Sequence, residues 1–326
     1  MTALTAGPRE LEYVAQATGA ICDSIETVIE GKRDVIELAV TVLLAEGHLL
    51  VEDVPGVGKT MLAKSLAKAI GSKSRRIQFT PDLLPSDVTG VSIYRPELRE
   101  FEFKPGAVFT NVVIGDEINR ASPKTQSALL ECMEERQVTA DGVTHPLEPP
   151  FIVVATQNPI EMEGTYPLPE AQRDRFMARV SMGYPAPAAE MDMLEHHAGR
   201  DPLGQLAPAS DAATVQAMIQ IAQAVYAADA IKDYVVQIVR ATRETPLLRL
   251  GASPRAALHL LRAAKARAAI GGRGHVLPDD VQSLAAAVLA HRLLPSTDGS
   301  IARRSALDVV GDLLQQVPVP QARAVV

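Results

Sequence analysis

The sequence predicts an α/β core, a parallel sheet flanked by helices, followed by a smaller all-α unit. Three observations predict it. A short apolar run, HLLVED (48–53), feeds straight into a glycine turn and then a helical pattern. Two further apolar, β-branched runs, NVVIGDE (111–117) and FIVVATQN (151–158), read as strands buried on both faces, as parallel strands are. Composition then changes near YPAPAAE (184–190), beyond which the chain is rich in Ala and Leu at helical spacing. The expected division is an α/β unit over 1–185, with an N-terminal helix and hairpin inserts, and a helical unit over 186–326.

The elements follow in order. KTMLAKSLAKAIG puts Leu62, Ala63, Leu66, Ala67 and Ile70 on one helical stripe and stops at Gly71. SPKTQSALLECMEERQ begins with Ser122 as N-cap and Pro123 at the first helical position. In QVTADGVTHPLE, Asp141-Gly142 is a two-residue hairpin signal, and VSIYRPELREFEFKPGA (91–107) is a second candidate hairpin. In the second half, GASPRAALHLL (251–261) offers Ser253 as N-cap and Pro254 as the first helical residue. The Ala-rich stripe at 256–269 is read as helix packing.

Bulk properties exclude several classes. The 326 residues are 47% hydrophobic and 22% charged, which suits a globular protein of two domains. Aromatics make up only 4% and Trp is absent, so the core must rest on Ala, Leu, Val and Ile. Cys22 and Cys132 give neither a disulfide framework nor metal-ligand spacing, and are expected as buried small hydrophobes in a reducing compartment. The N-terminal MTALTAGPRELEYV lacks the pattern of a signal peptide. The most apolar stretch is broken by Glu37, Glu46 and His48, so no membrane insertion is expected. A net charge of -7 argues against non-specific nucleic-acid binding. The expectation is a cytoplasmic protein.

The chemistry concentrates in EDVPGVGKT (52–60). Gly58, Lys59 and Thr60 supply the second half of a phosphate-binding loop, but Asp53 stands where the first glycine belongs. Gly56 and Gly58 allow backbone N–H groups to turn toward phosphate oxygens, and the following helix N-terminus favours anions. Lys59 would reach the β- and γ-phosphates and Thr60 would ligate Mg²⁺. A side chain at position 53 could narrow that loop. After NVVIG comes Asp116-Glu117, at the strand end where ligands sit in open α/β sheets. Asp116 is expected to hold Mg²⁺, usually through water, and Glu117 to polarise an attacking water. The alternative is an acidic surface turn. Glu195, His196 and His197 cluster without a metal-binding pattern and read as surface residues, and Cys132 reads as core packing.

Three stretches, EDVPGVGKT, GDEINRASPKTQSALLECMEERQVT (115–139) and ATQNPIEMEGTYPLPEAQRDRF (155–176), resemble the MoxR family of AAA+ ATPases. The motif order covers residues from about 20 to about 295, and similar members tolerate Asp at the first-glycine position. The resemblance implies an AAA+ core with a helical lid, and ATP and Mg²⁺ as cofactors. Pro55, Gly56, Val57, Gly58, Lys59, Thr60, Met61 and Asp116 would hold the nucleotide, with Thr60 and Asp116 at the metal. Asn158 matches sensor 1, which orients the attacking water. Arg175 matches the arginine finger that reaches a neighbouring subunit's nucleotide, although Arg173 stands two residues earlier where relatives more often carry an apolar residue. Arg255 matches sensor 2. Its place in the first turn of a helix is unfavourable for a cation unless it meets a bound phosphate or a nearby carboxylate.

The resemblance further implies a homo-oligomer in a hexameric ring, a von Willebrand factor A-domain partner and protein clients, with chaperone-like remodelling as output. Two other readings stand beside it: a nucleotide-dependent switch with little turnover, and a nucleic-acid translocase. The translocase lacks support in charge. QVTADGVTHPLE carries no Lys or Arg, and Arg95, Arg99 and Lys104 are balanced by Glu97, Glu100 and Glu102.

Overall fold

The computed structural model describes residues 6–159, 164–185, 190–191 and 201–320. Five strands form one parallel sheet: β1 (Leu49–Glu52), β2 (Ser74–Gln78), β5 (Val112–Asp116), β8 (Ile152–Gln157) and β9 (Ala178–Val180), in the order β2-β5-β8-β1-β9. The remaining strands of this half pair as antiparallel hairpins, β3 (Gly90–Arg95) with β4 (Glu100–Pro105) and β6 (Gln137–Ala140) with β7 (Val143–Pro146). Asp141 and Gly142 both take positive φ, 50° and 78°, as a two-residue hairpin turn of this hand requires.

Side chains alternate between two cores, as the period of a strand dictates. Leu49, Val51, Val112, Ile114, Ile152 and Val154 enter one core, with α1 (Pro8–Glu26), α2 (Arg33–Leu44) and α3 (Lys59–Ala69). Leu50, Val113, Val153 and Ala155 enter the other, under Leu129, Leu130, Cys132 and Met133 of α5 (Pro123–Glu135). The stripe expected on α3 is fully buried, and truncating Leu66 there to Ala would cost roughly 2–5 kcal/mol. Both cysteines are free and buried. Short helices α4 (Pro85–Thr89), α6 (Glu170–Arg173) and α7 (Pro202–Gln205) punctuate the connections.

The second half is helical: α8 (Ala212–Ala224), α9 (Asp229–Glu244), α10 (Pro254–Ile270), α11 (Pro278–Leu289), α12 (Thr297–Ile301) and α13 (Ala306–Gln316), with one small ribbon of β10 (Leu248–Leu250) and β11 (Leu294–Pro295). The Ala stripe of α10 is buried, and those small side chains let α10 lie against α1, α2, α8 and α11. The two halves thus share one core through the N-terminal helices. The boundary expected at 185/186 falls at the edge of the described residues, and Glu195, His196 and His197 lie outside them.

Two sheet strands carry no legible sequence signal. β2 reads SRRIQ and buries only Ile77, because it is an edge strand whose arginines face out. β9 is only three residues long. Both flank the functional strands.

Candidate active site

At the carboxyl ends of β1, β5 and β8, the polar side chains interlock. Gly56 and Gly58 take φ of 84° and 90°, a left-handed backbone that L side chains rarely adopt. A Cβ built at Gly56 would meet nothing within 4 Å, so the space before the loop is open. Gly58 caps α3, and the lysine and threonine that follow form its first turn. Lys59 Nζ donates to the Asp53 carbonyl and, at 3.0 and 3.4 Å, to the carbonyls of Val54 and Gln157. Thr60 Oγ1 donates to Asp116 Oδ1 at 2.9 Å, and Thr156 Oγ1 to the same oxygen at 3.2 Å. Arg76 Nε donates to Asp116 Oδ2 at 2.5 Å. Glu117 has φ 56° and ψ 51°, a strained backbone of the kind found at functional sites. Its N–H reaches Thr156 Oγ1 at 3.0 Å, and its carboxylate accepts from Gln78 at 2.9 Å and Arg120 at 3.2 Å. Asn158 is buried just past β8, with its carbonyl 3.4 Å from Asn119 Nδ2.

The expected arginines lie elsewhere. Arg175 Nε pairs with Glu134 Oε2 at 3.0 Å, and Arg255 pairs with the other oxygen of Glu134 and, at 3.5 Å, with Asp174. Glu134 sits in the last turn of α5, which runs back along the sheet from the end of β5. Around this pair a cavity of about 380 Å³ is lined by Glu46, Gly47, His48, Arg136 and Arg262 among others. Residues 46–48 lead into β1 and Arg175 leads into β9, so the cluster lies at the amino ends of the strands. β8 alone spans six residues, about 20 Å at ~3.3 Å per residue. Lys59 and Arg175 therefore lie at opposite ends of the sheet strands.

The amino-edge cavity is cationic. Arg136, Arg175, Arg255 and Arg262 face two glutamates, Glu46 and Glu134. His48 is neutral within it: burial first, then the Arg136 charge, lowers its pKa to about 4 despite a hydrogen bond to the Met133 carbonyl.

Comparison with known proteins fits both halves. Residues 48–178 match the ATPase family associated with various cellular activities (AAA), and residues 240–308 match the AAA lid domain. Chaperone MoxR1 of Mycobacterium tuberculosis is 42% identical over 92% of this chain and 82% of its own length. Protein MoxR of Paracoccus denitrificans is 32% identical over 92% of this chain and 95% of its own. The chain belongs to the MoxR family of AAA+ ATPases.

Other similarities agree with that membership. The uncharacterized protein YeaC of Bacillus subtilis is 49% identical over 94% of this chain and 96% of its own length. A crystal structure from Cytophaga hutchinsonii, of a protein described provisionally as an ATPase, superposes with a TM-score of 0.88 at 36% identity, covering 96% of this chain and 98% of that one.

In this MoxR-family chain the structure shows what Asp53 holds. Its carboxylate is engaged by the chain that leaves β9 and by the loop's own backbone. Oδ2 accepts from Ser181 Oγ at 2.6 Å and Gly183 N at 2.7 Å, and Oδ1 from Val54 N at 2.7 Å. Burial alone would raise its pKa, but these donors outweigh burial and hold it below the usual carboxylate range. Asp53 therefore pins the loop to the chain leaving β9. Sequence reading missed Gln78, Arg76 and Thr156 at one edge and Glu134 and Asp174 at the other. Gln78 could have been found only from the register that sets it beside Asp116.

Proposed function

We propose that this protein is a Mg²⁺-dependent ATPase whose catalytic centre forms between two copies in a ring, and that hydrolysis remodels protein clients. The observation that carries this reading is the placement of Lys59 and Asp116 at one edge of the sheet and Arg175 and Arg255 at the other. Head-to-tail packing of copies, as in a closed ring, would bring one chain's amino edge to its neighbour's carboxyl edge.

The geometry supports the following roles. Pro55 to Met61 would wrap the phosphates with backbone N–H groups, and Lys59 would exchange its carbonyl partners for phosphate oxygens. The donor set fits Mg²⁺: a hydroxyl and a carboxylate already share a hydrogen bond, and this ion prefers few protein oxygens supplemented by water and phosphate. Bound there, the ion would neutralise charge on the β- and γ-oxygens. Glu117, steered by Gln78, would accept the proton of the attacking water, and Asn158 would orient that water. Arg175, with Arg255 beside it, would enter from the neighbour and offset charge on the transferring phosphoryl group. Each must first exchange Glu134 for that phosphate. Arg175 is preferred over Arg173, which lies against Glu170 at 3.9 Å and has a buried Nε.

The family resemblance and the chaperone name of one relative support protein clients, a hexameric ring, a von Willebrand factor A-domain partner and a cytoplasmic setting, all carried here as proposals. A nucleic-acid track would need surplus positive charge on the hairpins, yet Arg95 is paired with Glu102 across β3 and β4. The test is Mg²⁺-dependent ATP hydrolysis as a function of protein concentration, with Glu117→Gln alongside. Specific activity should climb with concentration, and the variant should bind ATP without turning it over. Tight binding with no wild-type turnover at any concentration would leave a switch instead of a motor.

A further inference from the structure

Arg292 is the one buried arginine among the described residues, 3% exposed. It belongs to the helical half, in the short turn after α11, yet its guanidinium reaches into the α/β half. Arg292 NH2 donates to the Phe176 carbonyl at 2.5 Å, and NH1 lies 3.5 Å from Asp174 Oδ1. Those two residues flank Arg175 on either side. The same carboxylate accepts from Ser253 Oγ at 2.8 Å and faces Arg255 NH1 at 3.5 Å. Ser253 is in turn the N-cap of α10, the helix that carries Arg255. Asp174, next to Arg175 in the chain, is thus a node facing both Arg292 and Arg255.

The neighbouring histidines sharpen the assignment. A guanidinium only donates, and His259 Nδ1, 2.7 Å from Nη2, and His291 Nε2, 3.2 Å from Nε, face it. Burial first, and then the arginine charges, push both histidines far below their ordinary range. His291 Nε2 also lies 3.1 Å from the Phe176 carbonyl, so the histidine and Arg292 converge on one oxygen. A buried charge is tolerated only when paired and hydrogen-bonded, and Arg292 draws on the Phe176 carbonyl, the two histidines and the charge of Asp174.

We infer that Arg292 is a positioning residue for the shared ATPase site: by holding the Phe176 carbonyl and setting its charge against Asp174 it fixes the reach of Arg175 and ties it to Arg255. The inference rests on the shared-site reading above and adds to it a fixed link between the helical half and the trans arginine. Motion of the helical half would be transmitted to the neighbour's nucleotide along this clamp.

The test is a comparison of kcat at saturating ATP with the ATP Kd. Arg292→Lys keeps the charge but loses the fork, and Asp174→Asn keeps the shape but loses the charge. Each should lower kcat about 10–100-fold, the scale expected for a misplaced catalytic group, with Kd changed by less than about twofold. In an Arg175→Ala background, Arg292→Lys should cause no further loss, because both act through one group. Should Arg292→Lys fail to fold, Asp174→Asn decides. Normal kcat in the folded variants, or losses that multiply with Arg175→Ala, would overturn the inference while leaving the shared site intact. A wild-type-like Arg175→Ala would instead overturn the shared site, and this inference with it.

Discussion

The two edges of the parallel sheet are built on opposite principles. At the carboxyl edge, one lysine, a hydroxyl and two carboxylates surround an open glycine loop, and Lys59 rests on backbone carbonyls that a phosphate can replace. At the amino edge, arginines outnumber carboxylates, and Arg175 and Arg255 share the single carboxylate of Glu134. The first edge suits an anion, and the second presents cations. On the proposed reading neither edge alone completes a hydrolytic site, and the two lie at opposite ends of the strands. Activity should therefore be a property of the contact between copies.

The largest effect that would sharpen this contrast is at Arg175. Arg175→Ala should lower kcat by roughly 10³–10⁵ with ATP affinity unchanged, measured by steady-state hydrolysis and nucleotide titration. Arg173→Ala should stay near wild type, and the reverse outcome would show that the wrong arginine has been placed in the contact. Lys59→Ala acts on the other edge. It should raise the ATP Kd by about 10–150-fold, the loss of a charge-assisted bond to phosphate, and unchanged affinity would break the loop assignment.

Smaller effects test the scaffolding. Asp53→Gly installs the residue usual for such loops. It should leave ATP affinity within about threefold and lower Tm, because the hydrogen bonds to Ser181 and Gly183 are lost. A tenfold gain in affinity would mean that the aspartate does restrict the loop. The smallest effect is on pH. His48, His259 and His291 all have folded pKa values below the unfolded value of about 6.5. The unfolded chain therefore binds more protons as pH falls below that value. Stability should be fully present above about pH 6.5 and decline toward pH 4, by up to about 1.4 kcal/mol per pH unit for each histidine, followed by urea unfolding. For His48→Gln the decline should be shallower over that window.

The two edges also differ in how far the sequence reveals them. The carboxyl edge is legible because its parts are contiguous: a strand runs into Gly56, Gly58, Lys59 and Thr60, and another ends in Asp116 and Glu117. The caps at Ser122 and Ser253 and the turn at Asp141-Gly142 are legible for the same reason, each being set by neighbours a few residues away. The amino edge is assembled from residues far apart in the chain. Nothing local to Glu134 announces that it will meet Arg175 and Arg255, and nothing in AHRLLP announces that Arg292 will be buried against Asp174. β2 escaped because an edge strand needs only one buried side chain, and with it went Gln78 and Arg76, the side chains that hold Glu117 and Asp116. The partners of Asp53 were not legible because they lie beyond β9, about 130 residues downstream.

The central claim is that one site is made from two chains, and mixing two dead variants tests it most directly. Lys59→Ala lacks a working phosphate loop and Arg175→Ala lacks the trans arginine, so each alone should be nearly inactive. In a randomly mixed ring, about a quarter of the contacts join an intact loop to an intact arginine, and Mg²⁺-dependent hydrolysis should reappear on mixing. Hydrolysis that stays at the level of the separate variants, in assemblies shown to contain both, would contradict the account.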